Sequence, residues 1–90
     1  NDSMAIGAAK AISDAGKTDE IKVYGVDATP DGLDAISKGT MHGTVSQDTS
    51  GMGKLSVETM LQIINGEDPG DEVLTTPVWI TAENVDEYIK

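Results

Sequence analysis

Ninety residues allow one small domain, and a chain of that length buries only about 60–65 % of the surface that its unfolded form exposes. Six Lys, no Arg and 16 acidic residues leave a net charge of −10, which excludes a phosphate-backbone partner because nucleic-acid binding needs cations to displace condensed counterions. The absence of cysteine excludes disulfides and thiolate chemistry but leaves the compartment open.

A hydrophobic share of 38 % with 24 % charged residues is globular in composition. No apolar run approaches the roughly 20 residues of a bilayer span, and no basic stretch precedes an apolar one at the start, so neither a span nor a signal peptide is expected. The opening NDSMAIG is already helix-like and lacks an initiating Met. A piece of a longer protein is expected.

Asp2 or Ser3 is placed to cap a helix through MAIGAAKAISDA, with Met4, Ala8, Ala11 and Ile12 at helical spacing and Gly16 where it stops. The short β-branched run IKVYGV then predicts a buried strand, in which Gly25 marks a close backbone approach. Asp27 stands at its carboxyl end. Thr29 as N-cap, Pro30 at the first helical position and Asp31 in the first turn predict a second helix carrying Leu33 and Ile36, closed by Lys38 and Gly39.

MHGTVSQ predicts another strand that ends at the polar pair Gln47 and Asp48. A third helix follows from about Ser50 to Ile64, with a wide apolar stripe of Gly53, Val57, Met60, Leu61 and Ile64 that needs a covering surface. NGEDPGDE is a turn by composition, and Pro77 confines VLTTPVWI to an edge or crossing strand. A last helix, capped by Thr81, is expected to carry Val85 and Ile89. The resulting order α-β-α-β-α-β-α predicts an α/β fold with a mostly parallel sheet, whose ligand edge is the carboxyl end of the strands. Asp27 and Gln47 both fall at that edge.

Several chemistries are weighed for Asp27. The DATPDG stretch matches the first half of a calcium loop, but Lys38 occupies the position that needs a bidentate glutamate. GMGKLS lacks the Ser or Thr and the first glycine of a phosphate loop, so Lys54 reads as a solvated helix charge. A phosphoacceptor aspartate would share the strand-end position, yet no adjacent acidic pair ends another strand. His42, the single histidine, has no nucleophile or ligand partner in any motif and reads as a satisfied or solvated side chain. Trp79 and Tyr88 can stack on a sugar, although a Pro-broken strand and a terminal helix favour packing for them.

At NDSMAIGAAKAI, VYGVDATPDGLDAISKG, TVSQDTSGMGKLSVE and PVWITAENVDEY, the chain resembles the ribose- and galactose-binding branch of the bacterial periplasmic solute-binding proteins. The resemblance covers essentially the whole chain and corresponds to the last third of such a protein. It implies a parallel-sheet fragment of a two-lobed fold, with residues 1–48 in the C-terminal lobe, 49–72 in the other lobe, and 73–90 as a crossing strand and terminal helix. It also implies that Asn1, Asp27 and Gln47 contact the hydroxyls of a pentose or hexose. A carboxylate accepts two hydrogen bonds from vicinal hydroxyls, and an amide both donates and accepts, as a hydroxyl does. The competing role for Asp27 is to cap its own turn through local backbone amides.

The resemblance further implies binding without chemistry, no cofactor, an ABC-transporter permease as partner, and a periplasmic or extracellular location, lipid-anchored or soluble. Effector domains of LacI-type transcription regulators are the alternative, since they resemble the same family. The bare apolar faces predict self-association or pairing with the missing N-terminal portion.

Overall fold

The computed structural model describes residues 1–89. Helix α1, Asp2–Asp14, leads to strand β1, Tyr24–Val26, and helix α2, Pro30–Lys38, leads to strand β2, Gly43–Ser46. The long helix α3, Thr49–Ile64, is followed by an extended return, strand β3, Val78–Thr81, and a 3-10 turn, Val85–Glu87. The sheet order is β1-β2-β3, with β1 parallel to β2 and β3 antiparallel to β2. The parallel pair answers the expectation. The antiparallel strand does not follow from a count of alternating elements, because β3 enters from a return segment and runs back along β2.

The α2 signals work as the sequence predicts: Thr29 Oγ1 accepts from the Gly32 amide at 3.0 Å, Pro30 opens the helix, and Gly39 closes it at φ 84°. Only a residue without a Cβ takes that left-handed C-cap without strain. Two other expectations are corrected. Helix α1 is capped one residue earlier, by Asn1, whose Oδ1 accepts from the Met4 amide at 3.0 Å. The last helix is a single 3-10 turn, because Asn84 takes both ends of the local chain: its Oδ1 accepts from the Thr81 amide and its Nδ2 donates to the Trp79 carbonyl. Position 90, the end of the expected terminal helix, lies outside the described residues.

The core lies on one face of the sheet. Gly25, Thr44 and Ile80 sit in register across the three strands, and all are buried beneath α1 and α2 with Ala5, Ala9, Leu33, Ile36 and Met41. On the other face Tyr24, Val26 and Trp79 are exposed, with the Tyr24 and Trp79 rings in tilted contact at a centroid distance of 5.4 Å. Helix α3 buries none of its residues. It projects from the body, so the Cα radius of gyration is 17.3 Å, against about 12 Å for a compact domain of this length.

Candidate functional site

The parallel pair ends with two polar residues side by side. Asp27 follows β1 and Gln47 follows β2, and the Gln47 Nε2 donates to the Asp27 Oδ1 at 3.1 Å. Both side chains are exposed. The Asp27 carboxylate accepts from no backbone amide among the described residues; the cap of the following helix is Thr29 instead. Its carboxylate therefore faces outward from the sheet edge with oxygen lone pairs available to an incoming hydroxyl.

The backbone beneath this pair is strained. Asp27 has φ 121° and Ala28 φ 55°, and across the gap Asp48 has φ 50°. Left-handed backbone at residues with a Cβ costs on the order of 1–3 kcal/mol each and persists only where surrounding bonds over-determine it. Here the bonds are visible. The Asp27 amide donates to the Val45 carbonyl at 2.8 Å, the Ala28 amide to Thr44 Oγ1 at 3.3 Å, and the Thr29 amide to the Asp2 carboxylate at 2.8 Å. Asp48 is held by its role as N-cap of α3, accepting from the Gly51 amide at 3.1 Å.

Asn1 is exposed at the amino end of α1, where it lines a surface pocket with Met4, Lys22 and Tyr24, and its chain neighbour Asp2 bonds the Thr29 amide. Asn1 hydrogen-bonds neither Asp27 nor Gln47 among the described residues. Its Oδ1 is engaged as the helix cap, while its amide nitrogen has no protein partner among the described residues and can donate outward. The structure thus brings Asp27 and Gln47 into direct contact and leaves Asn1 outside that contact.

The residue that sequence reasoning missed is Asp2, expected with Ser3 as a candidate helix cap and found with no exposed surface. The signals were Gly25, Thr29 and Gly32, a small-residue set around a site for something larger, but nothing local says that this something is an aspartate more than twenty residues upstream.

His42 is accounted for by the backbone: its Nδ1 accepts from the Val23 amide at 3.1 Å, and its own amide donates to the Val23 carbonyl at 2.8 Å. It extends the β1-β2 pairing at the end opposite to Asp27. Trp79 pairs with Val45 close to the Asp27 edge, but its ring turns away from that edge, over Gly43 and Tyr24 at the start of the parallel strands. Among the described residues no group of three or more His, Cys, Asp or Glu could hold a metal ion. The calcium-like DATPDG stretch is the strained turn and first turn of α2.

The family model described as periplasmic binding protein domain matches residues 1–68, which takes in the whole arrangement from α1 through α3. The chain belongs to that family. Among similar members is the ribose import binding protein RbsB of Escherichia coli K12, 42 % identical over 67 residues, which cover 74 % of this chain and 22 % of that protein. An ABC transporter solute-binding protein of Bacillus halodurans C-125, solved with bound myo-inositol, is 43 % identical with a TM-score of 0.81 over 98 % of this chain and 30 % of that one. A periplasmic solute-binding protein of Actinobacillus succinogenes 130z, solved with bound D-allose, is 30 % identical with a TM-score of 0.88 over 98 % of this chain and 31 % of that one. The chain spans less than a third of the length of these family members.

Proposed function

We propose that this chain contributes one half of a monosaccharide grip in an ABC-importer solute-binding protein, with Asp27, Gln47 and Asn1 as hydroxyl contacts. The observation that carries the reading is the Asp27–Gln47 pair, an acceptor and a donor set side by side on strained turns at the carboxyl edge of a parallel sheet. Relatives solved with D-allose and myo-inositol, and one named for ribose import, support a small polyhydroxylated ligand. The residue set is suited to binding and release; the reading is of a binding protein, acting in the periplasm or outside the cell and presenting a closed form to a membrane permease.

The domain organisation is part of the same proposal. In this reading residues 1–48 are part of the C-terminal lobe, 49–72 belong to the other lobe, and 73–90 form the crossing strand and the terminal segment. In its favour, α3 buries no residue and stands away from the body. The uncovered sheet face and the exposed Val57, Leu61 and Ile64 of α3 support pairing with further chain or with a second copy.

Isothermal titration of the intact protein with D-ribose, D-allose, D-galactose and myo-inositol tests the reading. Binding of at least one is expected, lost by about tenfold or more in Asp27→Ala, as for removal of a charge-assisted hydrogen-bond acceptor. No binding across the set, or unchanged affinity in the variant, overturns it.

A further inference from the structure

Asp2 is enclosed by two glycines, and a Cβ on either Gly25 or Gly32 would collide with its carboxylate. Its Oδ2 accepts from the Thr29 amide at 2.8 Å and from Thr29 Oγ1 at 3.2 Å, and its Oδ1 accepts from Thr44 Oγ1 at 2.6 Å. Each hydroxyl passes the connection on. Thr44 Oγ1 donates to Asp2 and accepts from the Ala28 amide, and Thr29 Oγ1 donates to Asp2 and accepts from the Gly32 amide.

The polarity of the whole set therefore runs one way, with every proton pointing toward Asp2. Only an acceptor at both oxygens closes it, which a carboxylate supplies and an amide does not. Of the three successive amides that hold the turn, those of Ala28 and Thr29 end on this carboxylate, directly or through Thr44. Those are the bonds that fix the left-handed backbone from which the Asp27 side chain projects.

We propose that Asp2 is a positioning residue of the binding site: from beneath the 27–29 turn, through Thr29 and Thr44, it sets where the Asp27 carboxylate points. This rests on the reading of Asp27 as a ligand contact. It adds that the buried acceptor, which touches no ligand, sets affinity as well as stability.

A double-mutant cycle on the intact protein tests it, read by titration with the tightest binder among D-ribose, D-allose, D-galactose and myo-inositol. Asp2→Asn is expected to lower affinity about ten- to hundredfold when Asp27 is present, as for a buried donor left unpaired, and less than about threefold once Asp27 is Asn. The side-chain amide resonance of Gln47 is expected to shift in Asp2→Asn without ligand, because its acceptor moves. Equal losses in both backgrounds, or an unmoved Gln47 resonance, overturn the proposal.

Should Asp2→Asn fail to fold, the Thr44 pair carries the same test. Thr44→Val is expected to reproduce the loss and the resonance shift, and Thr44→Ser, which keeps the hydroxyl, to restore both. Indistinguishable Val and Ser variants overturn the proposal. Wild-type affinity in Asp27→Asn is a separate outcome: it removes Asp27 from the site, while the Gln47 resonance still decides what Asp2 positions.

Discussion

Gln47 donates its side-chain amide to the Asp27 carboxylate across the ends of two neighbouring parallel strands, at 3.1 Å and on the exposed edge of the sheet. The bond sets a donor beside an acceptor where the sheet opens. It also makes the pair sensitive to charge. Gln47→Glu is expected to weaken ligand binding more than Gln47→Ala, because a second carboxylate at that distance repels the first and turns it away. Titration of both variants in the intact protein checks the order; a Glu variant that binds as well as the Ala variant contradicts it.

Glycine substitutions should change sign along the chain. Gly7 lies on the exposed side of α1 with nothing within 4 Å of an added Cβ, so Gly7→Ala is expected to stabilise by up to about 1 kcal/mol through helix propensity. Gly32 is helical too, but its Cβ would meet the Asp2 carboxylate, so Gly32→Ala is expected to destabilise by about 1–3 kcal/mol through overpacking. Urea unfolding midpoints of the two variants decide the matter, and stabilisation by both would contradict the packing around Asp2.

Thr29 has two duties, as the N-cap of α2 and as a donor to Asp2. Loss of a cap alone costs about 1 kcal/mol, and the second bond adds to it. Thr29→Ala is therefore expected to lower stability more than Asp48→Ala, whose cap serves only the exposed start of α3. Thermal melts in the same buffer give the comparison.

The apolar faces predict behaviour in solution. Met52, Met60 and Ile63 of α3 line a groove of about 370 Å³ with Val73, and the sheet leaves Tyr24 and Trp79 bare. The ninety-residue chain by itself is expected to sediment as an assembly, and Val57→Lys with Leu61→Lys to shift it toward smaller species by placing charge on the α3 stripe. A compact monomer before substitution argues against the pairing.

What local chemistry dictates was legible from the sequence. The Thr29-Pro30 start and Gly39 stop of α2, the span of α3 to Ile64 and the strand-end positions of Asp27 and Gln47 all follow from capping, φ restriction and periodicity, which act within a few residues. The family resemblance was legible for a related reason, since its phrases are these same short stretches.

Tertiary structure alone decided the rest. Whether Asp2 caps a helix or is buried depends on Thr29 and Thr44, 27 and 42 residues away. The left-handed backbone at Asp27 and Ala28 exists because bonds from those distant groups outweigh its local cost. The antiparallel course of β3 likewise depends on pairing with β2 and not on any signal within VWIT. Short-range preferences chose the elements; long-range hydrogen bonds, invisible in chain order, decided which polar groups are buried and where the exposed ones point.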